Sequence, residues 1–192
     1  MALGFYVNMD HCIGCRTCQV ACKDRHDLQN VGVRPRRVES YEAGAYPDVA
    51  MYHATISCNH CDDPACIKGC PTGAMHKADD GTVVHDDSRC VLCKMCMTTC
   101  PYGAPQHDPV KDMIVKCDGC KDLRDAGHEP NCVAACPMRA IEFGDMDELR
   151  RRHGDDVTSE LPVTAPARYT HPNLLIKAAS GAERTDVHPV TL

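Results

Sequence analysis

Residues 90–101 read Cys90-Val91-Leu92-Cys93-Lys94-Met95-Cys96-Met97-Thr98-Thr99-Cys100-Pro101, which is the spacing Cys-x2-Cys-x2-Cys-x3-Cys-Pro. Three cysteines two residues apart let one tight loop present three thiolates to three corners of a single metal group. The fourth thiolate has to approach from another side. Upstream, Cys12, Cys15, Cys18 and Cys22 repeat the spacing without the proline. The other cysteines form two looser blocks, Cys58, Cys61, Cys66 and Cys70, and Cys117, Cys120, Cys132 and Cys136. The 192-residue chain holds 16 cysteines, so none is left over. The run in blocks one and three is the one that wraps a [4Fe–4S] cube. Each of the four iron corners of a cube takes one thiolate, so four blocks supply four [4Fe–4S] clusters.

Two other uses of so much cysteine fit less well. Disulfide scaffolds are usually shorter secreted chains, and no signal peptide opens this sequence. Zinc sites use two Cys-x2-Cys pairs, which blocks two and four contain, but a third cysteine after two more residues, seen twice, suits zinc poorly.

Aromatic content is 4%, with no Trp and two Phe, which is thin for a core of this size. Bound clusters would fill interior volume and cross-link the chain, so the metal-free protein is expected to fold poorly. The formal charge is −6. Four oxidised cubes with their thiolates, roughly −2 each, bring it to about −14. That balance disfavours a nucleic-acid surface. No run of 18 apolar residues occurs, so no direct membrane insertion is expected. The Arg36-Arg37 pair is interior and lacks a following apolar stretch, unlike an export signal.

The blocks form an internal repeat. Gly-Phe-Tyr-Val, Ala-Thr-Ile, Thr-Val-Val and Met-Ile-Val precede blocks one to four and read as short strands. Each cysteine run then predicts a loop and a short helix around its fourth cysteine. Cys70-Pro71, Cys100-Pro101 and Cys136-Pro137 turn the chain away, because proline cannot continue a helix. Ala74, Ala104 and Ala140 follow at a common offset, whereas Cys22 is followed by Lys23. Residues 74–77 and 82–85 predict a hairpin about Asp80-Gly81. Residues 23–57 read as loops with partner contacts, and residues 121–131 as an insertion within block four. Asp145 is expected to cap a helix from Met146, with Leu149 inward. Beyond Gly154 the proline-bearing tail reads as an extended strap carrying the apolar patch Asn173-Leu174-Leu175-Ile176, with a disordered end.

Three further segments carry a resemblance: Ser57-Cys58-Asn59-His60-Cys61-Asp62-Asp63-Pro64-Ala65-Cys66, Cys100-Pro101-Tyr102-Gly103-Ala104-Pro105-Gln106 and Lys116-Cys117-Asp118-Gly119-Cys120. With the tail around Pro172-Asn173, they make residues 4–177 resemble the four-cluster iron–sulfur subunits of the dimethyl sulfoxide reductase family of molybdoenzymes. The resemblance implies an α+β fold of two fused ferredoxin-like modules related by a pseudo-twofold, each holding two clusters, with a C-terminal strap. Residues 1–50 plus 117–145 would form the first module, 51–116 the second, and 146–192 the helix and strap. It also implies crossed ligation. Cys12, Cys15, Cys18 and Cys136 would hold cluster 1, and Cys117, Cys120, Cys132 and Cys22 cluster 2. Cys58, Cys61, Cys66 and Cys100 would hold cluster 3, and Cys90, Cys93, Cys96 and Cys70 cluster 4. Spacing alone leaves open that each block closes its own cube. Some relatives have tryptophan at the second position of block three and a three-iron cluster, whereas Cys93 here favours four complete cubes.

The implied function is electron transfer between a molybdopterin-containing catalytic subunit and a quinol-oxidising membrane anchor. The chain itself would not be catalytic, because no nucleophile triad or phosphate loop is present and every cysteine is assigned. A free-standing polyferredoxin is the alternative. The expected place is peripheral to the membrane through partners, outside the cytoplasm by export with the catalytic subunit, or alternatively cytoplasmic. His60 reads as a surface or ligand-supporting residue and His85 as a strand-end surface residue, while Met95 and Met97 fit shielding of a cluster from water and ordinary packing equally well.

Overall fold

The computed structural model describes residues 2–191. Strand β1 (Leu3–Asn8) leads into block one, and helix α1 (Thr17–Arg25) carries Cys18 and Cys22. The hairpin β2 (Arg37–Ala45) and β3 (Asp48–Ile56) leads into block two, where α2 (Ala65–Lys68) carries Cys66. The hairpin β4 (Met75–Lys77) and β5 (Val83–His85) leads into block three, where α3 (Met95–Thr99) carries Cys96. The hairpin β6 (Gln106–Asp108) and β7 (Met113–Val115) leads into block four, with α4 (Lys121–Asp125) in the insertion and α5 (Asn131–Ala134) carrying Cys132. The rest of the chain forms β8 (Ile141–Asp145), α6 (Met146–His153), β9 (Leu174–Lys177) and β10 (Val187–Val190).

Local chemistry explains the repeat. The residue before the second cysteine of every block is left-handed: Gly14 (φ 68°), His60 (45°), Leu92 (55°) and Gly119 (70°). Arg16 and Lys94 do the same one residue after that cysteine in blocks one and three, at φ 60° and 61°. These turns curl each run into a bowl before its helix starts. The helices of blocks two to four stop before the fourth cysteine, ahead of the proline that would break them. Block one has Lys23 instead, and α1 runs through Cys22 to Arg25. The helices are therefore built around the third cysteine, and only α1 encloses the fourth, as expected of all four.

β1 is the central strand of a three-stranded sheet, antiparallel to β8 and parallel to β9. Its Phe5, Tyr6 and Val7 are all buried, as suits a strand covered on both faces. Phe5 enters the largest core, in which Val38, Met75, Val83, Ile114, Val133 and Ile141 surround cysteines from every block. Tyr6 points the other way, onto Leu149 and Leu175, and stacks on His153 at 3.5 Å. Asp145 caps α6, accepting from the N–H groups of Asp147 (3.1 Å) and Glu148 (3.0 Å), and Leu149 is buried as expected.

Residues 23–57 depart from the loops read in the sequence. β2 and β3 form a long hairpin there, with Val38, Ser40 and Ala43 buried and Glu42 exposed. Gly44 and the Tyr46-Pro47 turn hid a period-two pattern. β3 also runs unbroken across residue 50, so the hairpin bridges a boundary drawn there. The tail end is a strand as well: β10 pairs antiparallel with β2 through Val187–Val190. The apolar patch forms β9, with Leu175 and Ile176 buried on the core.

The C-terminal segment is stitched onto block two. The Asn173 N–H donates to Asn59 O (3.0 Å), and Asn173 Nδ2 donates to His60 O (2.7 Å) and Asp62 Oδ1 (3.0 Å). The Asn173 carbonyl accepts from Phe5 N–H at 3.1 Å. A Cβ at Gly4 would collide with that carbonyl and with the Met146 sulfur. Because the obstacle is backbone, Gly4→Ala should cost about 1–3 kcal/mol. Thermal unfolding of the iron-loaded protein should show a lowered transition, and an unchanged midpoint would contradict this packing.

Candidate iron–sulfur centres

All sixteen cysteines are free thiols, with no disulfide among the described residues. The structure gathers them across blocks. Cys12, Cys15, Cys18 and Cys136 line one cavity, closed by Val38 and Ile141. Cys58, Cys61, Cys66 and Cys100 line a second, beside Val83 and Lys116. The other two sets show in their electrostatics. Burial pushes the Cys96 thiol up to about 11, and the nearby charges that add to this are Cys90, Cys70 and Cys93. Burial pushes Cys22 up to about 12, with Cys132 and Cys120 adding to it. Cys117 is driven well up by burial, then by Cys22. In each set three cysteines of one block meet the fourth cysteine of another.

Helix geometry produces this crossing. Cys18 and Cys22 stand four residues apart on α1, on one face and about 6 Å apart along the axis. One points into the first set and the other into the second. Cys132, on α5, and Cys136, just beyond its end, do the reverse where α5 packs against α1. Cys66 with Cys70 and Cys96 with Cys100 repeat the arrangement where α2 packs on α3. Charge on Cys132 also acts on Cys18, between the first two sets, and charge on Cys58 acts on Cys117, between the second and third.

The donor set suits iron–sulfur cubes. Main-chain N–H groups point at the sulfurs: Met75 at Cys70 (3.4 Å), Gly119 at Cys117 (3.4 Å) and Ala140 at Cys136 (3.3 Å). The alanines after each proline now have a role. Ala74, Ala104 and Ala140 are buried; the N–H groups of Ala74 and Ala104 favour charge on Cys70 and Cys100, and that of Ala140 donates to Cys136 Sγ. The Cys15 thiol is lowered by Thr17, whose hydroxyl donates to it at 3.3 Å. Most of the buried thiols are instead pushed up: Cys61 and Cys66 reach about 12 through desolvation, with other cysteines adding to it. Such groups ionise in the interior only beside a strong cation, which iron supplies.

His60 is fully buried rather than superficial. Its Nδ1 accepts from Val83 N–H at 3.1 Å, which leaves the proton on Nε2, 3.9 Å from Cys117 Sγ. Burial, then Lys116 and Arg124, keep the ring neutral by lowering its pKa. His60 thus belongs to the wall between the second and third sets. His85 pairs with Asp87 at 3.0 Å, and Met95 is exposed. Sequence reasoning missed Arg36, which is buried while its neighbour Arg37 reaches Glu39 at 2.8 Å. Strand alternation about residues 36–40 was the signal that could have separated them.

A family profile described as a 4Fe-4S dicluster domain matches residues 49–146, and one described as a 4Fe-4S binding domain matches residues 9–28. The chain is 45% identical to a chain of the anaerobic dimethyl sulfoxide reductase of Escherichia coli (strain K12), over 95% of this protein and 91% of that relative. The protein belongs to the family of dimethyl sulfoxide reductase iron–sulfur subunits. Less similar relatives of this family member include the arsenate respiratory reductase iron-sulfur subunit of Shewanella sp. (strain ANA-3), 31% identical over 77% of this chain and 83% of its own length. Another is the thiosulfate reductase electron transfer subunit of Salmonella typhi, 36% identical over 71% of this chain and 72% of its own.

Without iron, thiols held up near 12 are protonated at neutral pH and lose the bonds that join distant segments. Anaerobic chelation should therefore abolish the cooperative unfolding transition and much of the circular dichroism. An iron-free chain that keeps its full spectrum and transition would contradict the metal-centred core.

Proposed function

We propose that this chain is the electron-transfer subunit of a molybdoenzyme complex, relaying single electrons through four [4Fe–4S] clusters. One observation carries the reading: Cys12, Cys15, Cys18 and Cys136 line one cavity and Cys58, Cys61, Cys66 and Cys100 another, and in the proposed relay four such groups form a line. The ligand groups are Cys12, Cys15, Cys18 and Cys136, then Cys22, Cys117, Cys120 and Cys132, then Cys58, Cys61, Cys66 and Cys100, then Cys70, Cys90, Cys93 and Cys96. When bound, the cubes supply one-electron chemistry at fixed positions. The protein's residues hold the cubes, donate main-chain N–H groups to their ligands and exclude water with an apolar surround. The packing of α1 on α5 and of α2 on α3 supports two modules related by a pseudo-twofold. The first holds blocks one and four and the second blocks two and three. The C-terminal segment, tied by Asn173 to the block-two loop, serves as the strap.

The two ends of the line reach the surface. Cys15 and Cys93 are the exposed cysteines. Ile13 and Met138 are exposed by Cys15, and Val91 and Met95 by Cys93. Apolar collars at both ends favour a relay between two protein partners over a polyferredoxin moving between soluble enzymes. The partners are a molybdopterin-containing catalytic subunit and a quinol-oxidising membrane anchor, and the reductases to which the relatives belong favour the first. No helix among the described residues is long and apolar enough to cross a membrane. The chain then sits at the membrane through its partners, outside the cytoplasm by export with the catalytic subunit.

Anaerobically purified protein should contain about 16 iron and about 16 acid-labile sulfide per chain. It should co-purify with a molybdoprotein and show no substrate turnover alone. Stoichiometric zinc in a colourless folded protein would overturn the assignment. The crossing has its own test. Cys22→Ser should perturb the cluster of block four and spare that of block one, and Cys136→Ser should do the opposite. Spectra in which Cys22→Ser disables only the block-one cluster would mean that each block closes its own.

A further inference from the structure

Arg36 immediately precedes β2, yet its side chain turns into the protein interior and is 1% exposed. Nη1 donates to Thr55 Oγ1 and Nη2 to Ser57 Oγ, both at 2.9 Å. The guanidinium carbon lies 4.3 Å from the centre of the Phe5 ring. Nε has no hydrogen-bond partner among the described residues. Two neutral hydroxyls and a ring face return far less than a buried cation loses in leaving water. No carboxylate is paired with it among the described residues. The negative groups that act on it are Cys132, Cys117, Cys18 and Cys22. Three of these belong to the set of Cys22, Cys117, Cys120 and Cys132, and one to the neighbouring set. Thr55 is also shared, its hydroxyl lying 3.8 Å from Cys18 Sγ. The main-chain N–H of Arg36 favours charge on Cys22. Among the described residues, the negative groups that act most strongly on this cation are cysteine sulfurs.

We propose that Arg36 is a fixed buried counter-charge between the first two cysteine sets, and that it holds the reduction potential of the cluster bound by Cys22, Cys117, Cys120 and Cys132 above that of an otherwise identical neutral site. The inference rests on the four-cluster reading above. Reduction adds one electron to a site that already carries negative charge. A permanent cation nearby favours the reduced form, and burial leaves that attraction little screened by salt. Arginine suits the task because it stays charged wherever it is buried. The effect should fall with distance: strongest at this cluster, weaker at that of Cys12, Cys15, Cys18 and Cys136, and least at that of Cys70, Cys90, Cys93 and Cys96. Arg36 is thus a positioning and tuning residue that binds no substrate.

The test is a redox titration of the iron-loaded full chain, followed by electron paramagnetic resonance, for Arg36→Gln and Arg36→Lys. The relevant signal is the one that Cys117→Ser alters. Both variants should retain full iron. Arg36→Gln should shift that signal's midpoint downward, with a smaller shift at the neighbouring cluster. Arg36→Lys, which keeps the charge but cannot bridge Thr55 and Ser57, should fall between Arg36→Gln and the parent. A role confined to propping those hydroxyls would not move one midpoint selectively. Fully loaded Arg36→Gln with unchanged midpoints overturns the proposal. If only Arg36→Lys loads, the charge serves cluster assembly, which overturns the proposal as well. Loss of iron from both variants would assign Arg36 to assembly instead and also overturn it. A parent protein lacking four clusters would instead refute the reading beneath it.

Discussion

A buried thiol must either keep its proton or share its charge with a cation. With sixteen cysteines in one chain, most of them buried, that choice becomes the dominant constraint on the fold. Burial, with neighbouring cysteines adding to it, holds thiols such as Cys22, Cys61 and Cys66 near 12, far from ionisation. The apolar residues do not form a core that merely contains a metal site. Phe5, Met75, Val83, Ile114 and Ile141 pack directly against cysteines, so the core and the redox centres are the same object. With two phenylalanines and no tryptophan there is little else from which to build one.

From that constraint the architecture follows by short steps. One left-handed residue before each second cysteine curls the loop. Four residues separate the third cysteine from the fourth, along α1 in block one and across the helix end in the other blocks. A proline, or in block one its absence, decides how far the helix runs. Hairpins then return the chain to the next block. Each device is local, and its repetition leaves neighbouring sets sharing helices, which keeps them close without any dedicated linker.

This locality explains what the sequence could tell. Cysteine spacing, the strands before each block, the hairpin about Asp80-Gly81 and the Asp145 cap all depend on residues a few positions apart, and each appears where its signal lies. The β2–β3 hairpin, β10, the burial of His60 and the inward turn of Arg36 depend on partners far along the chain. Ser40 and Ala43 do not look like core residues until β10 and the tail cover them. Alternation about residues 36–40 tells Arg36 from Arg37, but the inward partners Thr55 and Ser57 lie on the far side of the hairpin.

The central position of β1 bears on the order of assembly. Its partners are residues 141–145 and 174–177, so a strand made well before them is among the last to be paired. The tail also closes over the block-two loop through Asn173 and over β2 through β10. Contacts of such long sequence separation form late. During synthesis the cysteine loops therefore remain open on one side until the residues beyond 174 have emerged. Before that closure the tail does not yet cover the block-two loop or β2.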